Sequence, residues 1–404
     1  KDLTIIIKPD GMPLYPHNLY LHAQLQKGSD NTRTAAQALM AFERFLSFVG
    51  KSYRSLTENQ EESPPWLFAD FLIDNLIIID PETGFPNRES GYAISTARTY
   101  ISFVIDFYKW LHRENILQID SDNKPFEFRW VKVSKKSIDH HDMLTHISGR
   151  KAIMVQTTSL MQRFPKVQST PAWMKLKPMI PSDKGVFLEY LRNEKGAGET
   201  LSLMCRLSIA TGLRVEELVS LPESIINPPV NDQPVSVSIG PANGCDTKFD
   251  KQRRIEIPYV IMMELHQYKH SNVRKHNLLK LDEEQEQVEN VHGRLFISRS
   301  GNAYAPNSIQ SFVSKIRKKI QKEYPNWYYR VHDLRSTFAV DWLTEESKRR
   351  HVVFDFLLQE LSVLMGHEST ATTQKYVDLK NARSTQIEHS IKKNKTASKS
   401  LTGR

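Results

Sequence analysis

The chain has 404 residues, 39% hydrophobic and 25% charged, with 55 Lys+Arg against 46 Asp+Glu and a net charge of +9. That length exceeds one ordinary domain and calls for two or three, and the basic excess favours a polyanionic partner. No apolar run approaches the roughly 20 residues that cross a bilayer, which speaks against a membrane protein, and two isolated cysteines, Cys205 and Cys245, speak against a disulfide framework or cysteine zinc site and suit a reducing cytoplasmic interior.

Taken in chain order, the sequence starts at Lys1 without Met, as if a segment preceded it, and Leu3 to Ile7 followed by Lys8-Pro9-Asp10-Gly11 predicts a strand and turn in an N-terminal extension, residues 1–30. From Asn31 or Thr32, the residues Ala35, Ala38, Leu39, Phe42, Phe45, Leu46 and Val49 keep helical spacing, and Gly50 supplies the stop. A second helix is expected near Pro64-Pro65, carrying Trp66, Phe68, Phe71 and Leu72. A third has Ile94, Ala97, Tyr100, Ile101, Val104, Phe107, Tyr108 and Leu111 on one stripe. Between about Ile119 and Pro181 the pattern loses its period and gains Lys132, Lys135, Lys136, Arg150 and Lys151, so this stretch reads as a basic connection ending in a linker. Lys135, Lys136, Arg150 and Lys151 are its candidate DNA contacts. His140, His141 and His146, beside Asp139 and Asp142, lack a familiar zinc-ligand spacing, and no metal is expected there.

Helical patterning resumes after Pro181 through Leu191 and again from Leu201 to Ala210. Val235 to Ile239 and Arg253 to Pro258 then predict two strands joined by a long polar turn. Helices are expected over Asn307 to Ile320, His332 to Leu343 and Val353 to Met365, and the tail from Ile391, residues 391–404, is rich in Lys, Ser and Thr.

The chemistry-bearing residues concentrate in the second half. Thr211-Gly212-Leu213-Arg214, His332-Asp333-Leu334-Arg335, Gly366-His367 and Tyr376 supply two arginines, two histidines and a tyrosine. Guanidinium forks match phosphate oxygens two at a time, histidine moves protons near neutral pH, and a tyrosine hydroxyl can hold a phosphoryl group covalently. This inventory predicts phosphodiester chemistry without a metal or other cofactor.

In Thr211-Gly212-Leu213-Arg214-Val215-Glu216-Glu217-Leu218, in His332-Asp333-Leu334-Arg335-Ser336-Thr337-Phe338-Ala339, and in Leu364-Met365-Gly366-His367 leading through Thr372-Thr373-Gln374-Lys375 to Tyr376, nine residues after the histidine, the chain resembles the tyrosine recombinase family, also called the lambda-integrase or phage integrase family. The resemblance implies a mainly α fold with a small β-sheet or hairpin. A helical, SAM-like core DNA-binding domain over 31–167 would be joined to a mixed catalytic domain over 170–390, the two forming a C-shaped clamp on duplex DNA. It further implies Tyr376 as nucleophile, Arg214 and Arg335 on the phosphate, His332 as general acid or base, His367 on the phosphate or the attacking oxygen, and a lysine on the hairpin that protonates the leaving 5′ oxygen. Lys248 is the choice for that lysine and Lys251 its rival. The expected partners are double-stranded DNA recombination sites and three further copies in a homotetramer on paired sites, with room for DNA-bending accessory factors and no membrane. Integration, excision or transposition of a mobile element in a bacterial cytoplasm, at the nucleoid, fits that chemistry best. A type IB topoisomerase or telomere resolvase, and a catalytically silent DNA-binding protein on the same fold, are the alternatives. The charged stretch Glu345 to His351 lengthens the usual link between the second and third boxes.

Overall fold

The computed structural model describes residues 3–29, 32–77, 91–120, 122–134, 152–165, 175–283 and 293–382. The chain divides into two compact units, Lys1–Ser169 and Thr170–Arg404.

The first unit is built on four helices, α1 (His17–Gln26), α2 (Thr32–Val49), α3 (Pro64–Asp74) and α4 (Ile94–Arg113). The apolar stripes expected of α2 and α4 meet each other, so Leu39, Phe42, Leu46, Ile101, Val104, Tyr108 and Leu111 fill one core with Phe68 and Leu72 of α3. Pro64 and Pro65 open α3, where a missing N–H costs nothing. Two expectations need correction. Residues 3–21 do not stand apart as an extension, because Ile6, Leu14, Tyr20 and Leu21 enter the same core, and the expected strand reduces to a single bridge between Ile7 and Pro13. The period-less connection contains regular structure: β1 (Phe128–Ser134) pairs antiparallel with β2 (Ala152–Thr158) from Phe128↔Thr158 to Ser134↔Ala152. A short helix, α5 (Ser159–Arg163), follows, and Leu160 and Phe164 return to the core. Lys135, Lys136, Arg150 and Lys151, with the histidine group at 140–146, lie outside the described residues, as does the tail from 383 onward.

The second unit is mainly helical, with α6 (Pro181–Arg192), α7 (Ala197–Thr211), α8 (Val215–Val219), α9 (Tyr259–Lys269), α10 (Asn272–Glu283), α11 (Pro306–Ile320), α12 (Val331–Arg350), α13 (Leu358–Met365) and helical residues 370–382, here α14. The predicted strand pair is present as β3 (Val235–Ile239) and β4 (Arg253–Ile257), antiparallel in register from Val235↔Ile257 to Ile239↔Arg253. One core joins α6, α7, α11 and the inner face of the strand pair, and a second gathers Ala339, Leu343, Leu361, Met365 and Val377 from α12, α13 and α14. The charged stretch that lengthens the chain after Leu343 continues α12. Glu346 pairs with Arg349 and Arg350 three and four residues on, Arg350 reaches Glu360 of α13, and His351 ends the helix at φ 55°. No described helix is long and apolar enough to cross a membrane.

Candidate active site

The site grows from the end of α7. Gly212 takes a left-handed conformation (φ 68°) and the Phe338 ring of α12 lies against it where any Cβ would collide, so the turn can close only on glycine. That turn sets Arg214 as the N-terminal cap of α8. Glu217, three residues on, reaches back to accept from the Arg214 backbone N–H at 2.7 Å and from its Nη1 at 3.0 Å. The Glu217 carboxylate is fully buried and also takes the fork of Arg253, whose Nη2 lies 2.7 Å from Oε2. Burial alone would raise the Glu217 pKa. The Arg253 hydrogen bonds and charge, with those of Arg214, outweigh it and hold the carboxyl below its ordinary value.

His332 and Arg335 stand one turn apart in the first part of α12. Arg335 is only 3% exposed, and its two terminal nitrogens donate to the carbonyls of Gly212 and Met365. Arg214 Nη2 donates to the Gly366 carbonyl at 3.2 Å. The two arginines therefore tie the α7 turn, α12 and the end of α13 together. Burial first, then the Arg214 charge, pushes Arg335 down to about 9.

Gly366, left-handed at φ 60° with Arg253 packed against its Cα, ends α13 and turns the chain so that His367 faces back. Its Nε2 lies 3.4 Å from Arg335 Nη2 and its Nδ1 2.7 Å from the buried Thr373 hydroxyl. A guanidinium has no acceptor, so Nε2 presents its lone pair and Nδ1 carries the proton. Burial, Arg335 and Arg214 together push His367 to about 3, which keeps the ring neutral at physiological pH. His332 is exposed to solvent at its outer edge, and partial burial with Arg335 and Lys375 lowers it below the usual histidine value.

Tyr376 lies on α14 and is 1% exposed, its ring packed with Ala339, Val340 and Met365 and parallel to His367 with centroids 6.3 Å apart. Burial raises the phenol pKa, against the opposing influence of Arg335, the Ser336 hydroxyl and Arg214.

The hairpin lysines part company. Lys248 is exposed with its ammonium over the Phe249 ring, 4.7 Å from the centroid, whereas Lys251 Nζ donates to the His367 carbonyl at 2.9 Å. The fold brings Lys251 to the set and leaves Lys248 apart from it. Arg253, Ser336 and Thr373 carry no role in the sequence motifs as read above. Arg253 could have been found, since it occupies an inward position of a strand whose other inward residues, Ile255 and Ile257, are apolar, and a guanidinium so placed needs a partner inside the fold.

Chemically, two guanidinium groups, two neutral imidazoles and a phenol converge where a tetrahedral anion could be gripped and attacked. Among the described residues, no group of three or more His, Cys, Asp or Glu side chains is placed to hold a metal ion.

Comparison with known proteins bears on this geometry. Residues 187–383 match the Phage integrase family. An arginine-to-lysine variant of the Tn1549 transposon integrase (residues 82–397 of that protein), solved with a circular intermediate DNA, aligns at TM-score 0.50 and 14% identity over 91% of this chain and 98% of that one, which shows a shared fold. XerH site-specific recombinase bound to palindromic difH substrate, in a post-cleavage complex, aligns at TM-score 0.47 and 16% identity over 89% of this chain and 79% of that one. A lambda integrase (75–356) dimer bound to a COC′ core site aligns at 0.46 and 13% over 90% and 94%. No curated protein matches the chain.

Proposed function

Residues 187–383 belong to the phage integrase family, and on that premise we propose that the chain is a site-specific DNA recombinase that cuts and rejoins duplex DNA through a 3′-phosphotyrosine. The observation that carries the reading is the gathering of Arg214, Arg335 and His367 around the turn from Met365 to His367, with the Tyr376 ring lying parallel to His367.

In this mechanism the Tyr376 oxygen attacks the scissile phosphorus and the bond from phosphorus to the 5′ oxygen breaks. The phenol proton leaves to His332, whose lowered pKa keeps it unprotonated and able to accept. Arg214 and Arg335 neutralise the non-bridging oxygens as charge gathers on them, by geometry already fixed through their carbonyl and Glu217 contacts. A hairpin lysine gives its proton to the departing 5′ oxygen. The freed 5′ hydroxyl then attacks the phosphotyrosine of the partner strand, so bond energy is conserved. Four copies on two sites, a Holliday junction intermediate and a mobile element as the biological setting complete the proposal. A two-site strand-exchange assay with labelled duplexes tests it: recombinant products that form with EDTA present support the reading, and relaxation of supercoils without exchange between sites would replace it with a topoisomerase.

The contact between Lys251 and the His367 carbonyl favours Lys251 over Lys248 as the proton donor. Sulfur in place of the bridging 5′ oxygen leaves without protonation, so Lys251→Ala should cleave the thio substrate nearly as fast as the parent protein and the ordinary substrate slowly. Selective rescue of Lys248→Ala instead would reverse the assignment.

A further inference from the structure

Beyond the expected set, one more cation stands beside the nucleophile. Lys375 precedes Tyr376 on α14, is half-buried, and holds its ammonium 5.2 Å from the centre of the Tyr376 ring. Its charge lowers both His332 and His367. No carboxylate among the described residues pairs with it, and burial together with Arg335 disfavours its charged form.

The surrounding charges sharpen the point. Arg214, Arg253 and Arg335 gather around a single buried carboxylate, Glu217, which is already engaged by Arg214 and Arg253, and Lys375 feels the charge of Arg335. Arg335 is satisfied by neutral carbonyls. A half-buried lysine without a counter-ion in so cationic a setting costs free energy in the empty protein, and an anion entering between the arginines and Tyr376 would offset it. A phosphodiester brings one negative charge and gathers more on its non-bridging oxygens as the fifth bond forms.

We propose that Lys375 is a further catalytic residue, contacting a non-bridging oxygen of the scissile phosphate in the transition state. Because it shares a helix with Tyr376, the nucleophile and this cation reach the phosphate together, so the site is electrostatically complete only when α14 is in place. The proposal rests on the recombinase reading above and assigns Lys375 to the phosphate oxygens, leaving protonation of the 5′ oxygen to the hairpin.

The test uses the full-length protein and three nicked suicide duplexes: an ordinary diester, a methylphosphonate that lacks the non-bridging charge, and a diester with sulfur at the bridging 5′ position. Lys375→Ala should slow covalent capture of the diester on the order of 10²-fold, and Lys375→Arg should recover most of that loss because it restores the charge. On the methylphosphonate, the gap between Lys375→Ala and the parent protein should nearly close. Parental cleavage of the diester by Lys375→Ala would overturn the inference, as would an equal loss on diester and methylphosphonate, the mark of a merely structural residue. Rescue by bridging sulfur instead of methylphosphonate would make Lys375 a proton donor and overturn the assigned role. Failure of the parent protein to cleave any of the three would sink the recombinase reading beneath it.

Discussion

Arg335→Ala should slow covalent DNA cleavage on the order of 10²–10³-fold or more, the scale seen when a preorganised donor to a developing oxyanion is removed. The residue is 3% exposed and bonded to the carbonyls of Gly212 and Met365, so its guanidinium is held in place before any DNA arrives. The same bonds mean that alanine leaves two carbonyls without their donor, at a cost to folding of about 1–3 kcal/mol each where they stay dry. Arg335→Lys separates the two effects. It keeps the positive charge but cannot bridge both carbonyls and a phosphate, so it should fold better than alanine and still cleave slowly. Single-turnover cleavage beside thermal melting reads both quantities, and cleavage by Arg335→Ala within tenfold of the parent protein would remove Arg335 from the mechanism.

Glu217→Ala should damage the protein more broadly, although the residue never touches DNA in this account. Its buried carboxylate caps α8 and receives both Arg214 and Arg253. Taking one partner from a buried ion pair and leaving the other charge unpaired costs about 3–5 kcal/mol. Arg214 would also lose the contact that aims it. Cleavage should fall with stability, and Glu217→Gln, which keeps the shape and one acceptor, should lie between. The pH dependence has a definite sign. The folded carboxyl sits below its ordinary 4.5, so its contribution is full above that value and is lost as pH falls through the lower, folded-state pKa. The parent protein should therefore lose more stability between pH 5 and acid than Glu217→Gln does, as followed by denaturant melts. Equal losses would show that Glu217 is not the electrostatic centre of this network.

Much of the site was legible because it lies on local patterns. The stripes of α2 and α4 and the proline start of α3 follow helical periodicity, and the glycine turn before Arg214 and the i, i+3 step from His332 to Arg335 are set by a few neighbouring residues. What was missed depends on partners distant in sequence. β1 and β2 pair across an interval that breaks any local alternation, so only tertiary structure reveals them. α1 buries His17, Tyr20 and Leu21 without a sustained apolar stripe. The sequence favours Lys248 over Lys251 without showing the turn between them, which passes through Phe249 and Asp250 at φ 61° and 52°, left-handed positions that no glycine announces and that redirect the chain before Lys251. Lys375 was hidden differently, since a lysine beside a tyrosine reads as surface until its ammonium is found over the ring.

If the chain is a recombinase of this kind, the buried Tyr376 hydroxyl becomes the covalent link to DNA. Incubating the protein with a nicked suicide duplex in EDTA, resolving it on a denaturing gel and mapping the adduct by peptide mass spectrometry tests this most directly. The expected result is a 3′-phosphoryl adduct on the peptide containing Tyr376, and no adduct from Tyr376→Phe although that variant still binds DNA. An adduct on another residue, or one that persists in Tyr376→Phe, would contradict it.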